Sequence, residues 1–173
     1  MAKRLLSLLL GLWMLWPSPS QASEDLERGR FVSDCIIAAS ELYDFPAGVL
    51  VIILNVENGR LGEVSGNKNG TVDIGPMQVN EIWVPKLAEH WGVSPDQAYR
   101  ALRDEVCANI EGGSWILRQA LDEAKGNFWE GVALYHSHSG AAKSVYLRSV
   151  YHHALRLTAR ANAPVKNDAG GGE

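Results

Sequence analysis

The stretch Val49-Leu-Val-Ile-Ile-Leu-Asn-Val-Glu57-Asn-Gly59 constrains this chain more than any other part of it. An element that is apolar on nearly every face has to lie inside a protein, with other elements packed around it. A carboxyl carried to the end of such an element sits where desolvation favours the neutral acid and raises its pKa. Glu57 is therefore a candidate proton donor near neutral pH, set against the plainer alternative of a solvated glutamate at the terminus of an element. Two conformations are open to the run itself. Asp44-Phe-Pro46 offers a cap and a proline suited to a helix start and Gly59 a C-terminal stop, which brackets a helix of about three to four turns. Val49, Val51, Ile52, Ile53 and Val56 are β-branched, so a buried strand is the rival.

An interior element needs a chain long enough to cover it. The sequence has 173 residues, and its first 22 read as an export signal rather than as fold. Lys3 and Arg4 precede an apolar stretch from Leu5 to Trp16, and Ser20 and Ala22 place small residues before a cut after Ala22. That apolar stretch falls short of the roughly 20 residues of a spanning helix, and the first cysteine is Cys35, so no stable membrane anchor and no thiol for a lipid are expected. The mature protein is expected in the periplasm. Removing the signal leaves 14 Lys and Arg against 20 Asp and Glu, moving the formal charge from −4 to −6. Such a balance argues against a nucleic-acid partner. Cys35 and Cys107 are the only cysteines of a chain bound for an oxidising compartment, which favours a disulfide over two unpaired buried thiols.

Along the mature chain the pattern is mainly α with one small β-hairpin, an α+β single domain over 23–162. Helical spacing covers residues 24–42. Glu63-Val-Ser65 and Thr71-Val-Asp-Ile74 read as two short strands around Gly66-Asn-Lys-Asn-Gly70, where Asn69-Gly70 is the best local turn signal; it also explains the formal glycosylation sequon Asn69-Gly-Thr71. Helices are expected over about 80–90, briefly after the Ser94-Pro-Asp96 cap, and over 104–125, 127–135 and 141–161. The tail, 163–173, with its three successive glycines, is expected to be disordered.

Val56-Glu57-Asn-Gly59, then Asp73-Ile-Gly75-Pro-Met77-Gln78-Val-Asn80, then Tyr135-His-Ser137, and finally Tyr146, Arg148 and Val150, resemble the SLT-type lytic transglycosylases. The wording is closest to the branch that serves conjugation, type IV secretion and pilus machines. The resemblance spans roughly residues 33–157 and implies a lysozyme-like fold acting on peptidoglycan glycan strands. It further implies that one glutamate, here Glu57, is first the acid for the leaving oxygen and then the base for the substrate's own C6 hydroxyl, giving a 1,6-anhydro sugar. No cofactor or metal is implied. Components of an envelope apparatus are the implied partners, and a monomer is expected. Gly75, Met77, Gln78 and Asn80 match the block that lines the cleft, and Ser65, Met77, Gln78, Asn80 and Tyr135 are the expected substrate contacts. Tyr135 matches the tyrosine whose hydroxyl orients the catalytic glutamate.

Alternatives stand beside several of these roles. Met77 also fits core packing, and Asn80 also fits a helix cap. Asp73 is either a structural residue of the hairpin or a second carboxylate of a lysozyme-type hydrolase. In place of the usual Ala-Tyr-Asn-Ala-Gly this chain has Leu134-Tyr135-His136-Ser137-His138-Ser139-Gly140, which brings in His136 and His138. With His152 and His153 they raise a metal site as one option, although no cysteine or acid completes a ligand set, and solvated or substrate-facing histidines are the other. From a different class, the domain could bind peptidoglycan as an assembly factor without turning it over.

Overall fold

The computed structural model describes residues 21–163, so the expected signal up to Ser20 and the tail from Pro164 lie outside the described residues. The apolar run is a helix. It is α2, Ala47–Glu57, following α1, Gln21–Leu42, and it buries Val49, Leu50 and Ile53 between α1 and the last helix, α7, Gly140–Ala161. Burial against two helices outweighs the weak β preference of its branched side chains, as tertiary packing commonly does.

Both ends of α2 differ from the expected caps. Asp44 does not cap the helix; it takes a left-handed φ of 52°, and extended Pro46 occupies the N-cap position without a side-chain bond. This geometry folds the chain back after α1, with the Phe45 amide donating to Ser40 O at 3.2 Å and the Phe45 ring buried. At the other end Asn58, not Gly59, adopts the left-handed conformation, at φ 51°, and its amide donates to Leu54 O at 3.0 Å. Asparagine tolerates that region better than other residues with a side chain, which leaves Gly59 free for a different purpose.

Three antiparallel strands follow in the order β1, Val64–Gly66, β2, Val72–Ile74, and β3, Val79–Asn80. The first two form the expected hairpin, with Ser65 opposite Asp73. The third strand replaces the start of the helix expected from about residue 80: Asp73 pairs with Asn80, a 3-10 turn spans Glu81–Trp83, and α3 begins only at Val84 and ends at Trp91. Helix α4, Pro95–Asp104, starts from Ser94 with a complete capping box to Gln97, and α6, Phe128–His136, is capped by Asn127. Between them α5, Val106–Glu123, is the central helix, packing on α1, α4 and α6 and burying Ile110, Ile116, Leu117 and Leu121.

Two side chains of α5 hold the parts together. Glu111 accepts a hydrogen bond from Trp91 Nε1 at 2.5 Å and another from the Tyr43 hydroxyl, joining α3 and the end of α1 to α5. Fully buried Asn109 accepts from the Met77 amide at 2.7 Å and donates to Ile74 O at 2.9 Å and Leu102 O at 2.8 Å, which pins the sheet to α4 and α5. The disulfide joins Cys35 of α1 to Cys107 of α5 across a sequence separation of 72. Among the described residues no helix is long and apolar enough to cross a membrane.

Candidate active site

A cleft of about 830 Å³ runs between the helices and the sheet, and Glu57, Asp73, Gln78, Asn80, Tyr135 and His136 all face it. Glu57 arrives on the last turn of α2. Burial pushes its carboxyl up to about 7, the nearby Tyr146 hydroxyl opposes the rise, and the charge of Asp73 adds to it. The carboxyl also sits at the negative end of the helix dipole, which disfavours ionisation further. Glu57 Oε1 and the Tyr146 hydroxyl are both buried, and neither has a hydrogen-bond partner of good geometry within the protein. The two are near neighbours, and the phenol acts on the carboxyl as a hydrogen-bonding group.

Gly59 explains the spacing of the Glu-x-Gly motif. A Cβ there would collide with the Gly75 carbonyl oxygen and with Gln78 Nε2, so only glycine lets the end of α2 close onto the Gly75–Gln78 turn. The Gly59 amide donates to Pro76 O at 3.3 Å across this junction. Gln78 holds a left-handed φ of 49° and donates from Nε2 to Gly75 O at 3.0 Å. The turn that carries the cleft residues is therefore locked to the turn that carries Glu57.

The opposite wall is polar. Asn80 donates from Nδ2 to Asp73 Oδ1 at 2.7 Å and to Thr71 Oγ1 at 3.0 Å, while its Oδ1 accepts from the Ile82 amide at 3.2 Å. It caps the 3-10 turn, and both its donor hydrogens are committed to anchoring the strand that bears Asp73.

Several expected contacts are placed elsewhere. Met77 is fully buried outside the cleft lining, where its side chain packs so closely on Gly113 of α5 that a Cβ there would lie 2.8 Å from the sulfur. The core alternative describes it. Ser65 is exposed on β1 and does not line the cleft, although it lies directly opposite Asp73. Tyr135 lines the cleft, yet its hydroxyl donates to Met77 O at 2.8 Å rather than to Glu57. The phenol beside Glu57 is Tyr146 of α7, and the His136 ring stacks flat on it with centroids 4.4 Å apart and planes 1° apart. His138 pairs instead with exposed Glu123 at 3.0 Å. Among the described residues no three His, Cys, Asp or Glu side chains converge on a metal position.

Sequence reasoning gave no role to Tyr146, Asn109 or Trp83. Trp83 lines the cleft beside Ile82, which is 64% exposed, and forms an edge contact with Trp115 at 6.0 Å. No spacing in the sequence marks Trp83 as a cleft residue.

Comparison with known proteins places this geometry. The transglycosylase SLT domain profile matches residues 34–153. This chain belongs to the transglycosylase SLT family. Members of that family are lytic transglycosylases that act on peptidoglycan. The chain is 28% identical over 132 residues to protein IpgF of Shigella flexneri, covering 73% of this chain and 83% of that protein. It is 26% identical over 113 residues to invasion protein IagB of Salmonella typhimurium, covering 65% and 67%. The SLT match begins at Asp34 and ends at His153, so it holds both cysteines of the disulfide and every side chain that faces Glu57.

Proposed function

We propose that this SLT protein is a lytic transglycosylase that cuts the β-1,4 bond between N-acetylmuramic acid and N-acetylglucosamine, with Glu57 as its sole acid and base. The observation that carries this is a buried carboxyl with a pKa of about 7 facing a cleft in which the one other lining acid among the described residues, Asp73, is tied to Asn80. Near neutral pH a large share of Glu57 is protonated and can donate to the glycosidic oxygen as the C1–O4 bond breaks. The carboxylate so formed then takes the proton of the C6 hydroxyl while that oxygen bonds to C1. The proton count closes without water, and the product is a 1,6-anhydro end.

The site of action is the periplasm, after removal of the signal, and the role is local opening of the wall for a secretion, conjugation or pilus apparatus. Similarity to a protein described as an invasion protein supports that setting. A lysozyme-type hydrolase is the second reading, favoured by Asp73 sharing the cleft with Glu57. Mass spectrometry of purified sacculi digested with the protein decides between them. Anhydro ends are expected, and a digest dominated by reducing ends overturns the transglycosylase reading.

A further inference from the structure

We propose that His136 is a positioning residue: its ring, lying flat on Tyr146, holds that phenol against Glu57 and so sets the geometry of proton transfer. The proposal rests on Glu57 being the acid. Three facts combine. The stack is close and nearly parallel, at 4.4 Å and 1°. Tyr146 is buried at 4% exposure, and its hydroxyl has no other partner to fix it. That hydroxyl is the nearest polar group acting on the Glu57 carboxyl from another helix. With Glu57 as the one polar group that acts on this phenol from α2, the packing on its ring faces decides where the hydroxyl lies. An imidazole pressed on one face limits the shift, and His136 can do so because it ends α6 where that helix crosses the start of α7.

The choice of imidazole has an electrostatic corollary. Burial pulls the His136 pKa down and Asp73 pulls it up, so the ring is mainly neutral near pH 7. A cation at this position would favour the Glu57 carboxylate and remove the proton the first step needs. The titratable groups that share the cleft with His136 are Asp73 from β2, Glu57 from α2, Lys68 from the turn between β1 and β2, and Tyr135 and His138, with Tyr146 of α7 on its ring face, while α5 presents apolar Ile116. Lys143 of α7 is engaged by Glu130, and His138 by Glu123.

The test compares wild type with His136→Ala, His136→Phe and Glu57→Gln, measuring release from purified sacculi between pH 4.5 and 8 and the carbon-13 titration of the Glu57 carboxyl by NMR. His136→Ala is expected to lower kcat roughly tenfold with little change in KM, as a loosened catalytic geometry does. His136→Phe, which keeps a flat ring, should recover most of that loss. The Glu57 titration should move in His136→Ala even where activity is not measured. Equal rates and equal Glu57 titrations in the alanine and phenylalanine variants would overturn the positioning role. If instead Glu57→Gln stays active while the titration still responds to His136, the acid assignment has failed and the positional contact stands.

Discussion

Glu57 reaches the cleft from the end of a buried helix, whereas Asp73 reaches it from the middle strand of a sheet whose first strand is wholly exposed. Around Glu57 the neighbours are Tyr146, Tyr135 and apolar side chains, and its Oε1 is left without a partner. Around Asp73 they are amides and hydroxyls, and its Oδ1 accepts from Asn80 at 2.7 Å. The same functional group thus sits in two surroundings. A dry wall favours the proton on Glu57, and a hydrogen-bonded wall holds Asp73 in place.

Glu57→Gln breaks the helical wall's half of this contrast most severely. Activity on sacculi should fall by at least ~10²-fold, the usual loss on removing a general acid. The same change should stabilise the fold at higher pH. The folded-state pKa of about 7 lies above the ordinary 4.5, so the native protein holds a proton the unfolded chain releases between those values. Wild-type stability therefore declines as pH rises through that window, and the full cost of a few kcal/mol is present above about pH 7. Urea denaturation should show the glutamine variant gaining on wild type from pH 4.5 to 8. A constant difference across that range would place Glu57 in water.

Each wall also has its own fastener. Replacing Cys35 and Cys107 by serine removes the link between α1, on which α2 packs, and α5, and should cost about 2–5 kcal/mol in urea denaturation. Asn109→Ala should cost roughly 2–3 kcal/mol by leaving the Met77 amide and two carbonyls unpaired. Hydrogen exchange separates the two. The asparagine variant should release the amides of β2 and β3 while α2 stays protected, and equal loosening of both walls would show that they do not stand independently.

The helical wall was the more legible of the two in the sequence. An apolar run between Pro46 and the Asn58-Gly59 stop could be placed inside the protein with its acid at the end, even though the capping residues were assigned one or two positions away from where they act. Asn69-Gly70 marked the hairpin because turn chemistry is local. Strand β3 was missed since two residues, Val79 and Asn80, carry no period, and a helix cap and a strand end call for the same asparagine. The sequence assigns no role to Tyr146 and shows Asn109 as one more residue of a helical stretch. Their functions depend on helices crossing in space, and no spacing rule connects α2 to α7 or α5 to the Gly75–Gln78 turn. Met77 shows the converse: its neighbours in sequence line the cleft, but Gly113 opens a slot that draws its side chain into the core.

The smallest expected effect belongs to Asp73→Asn, and it sharpens the comparison most. An amide at this position can still pair with Asn80, so the sheet wall should keep its shape. What disappears is a negative charge that helps to raise the Glu57 pKa. With one carboxyl sufficient, the rate should fall only about two- to fivefold, since general-acid efficiency follows pKa gradually, and the products should keep their anhydro ends. The high-pH limb of the activity profile should move to lower pH as Glu57 gives up its proton more readily. A hydrolase that uses Asp73 to stabilise or trap the cationic carbon would respond otherwise: the rate would collapse as far as it does for Glu57→Gln, and the wild-type products would carry reducing ends. Product chemistry and the position of that limb, read on the same samples, separate a carboxylate that tunes its neighbour from one that meets the substrate.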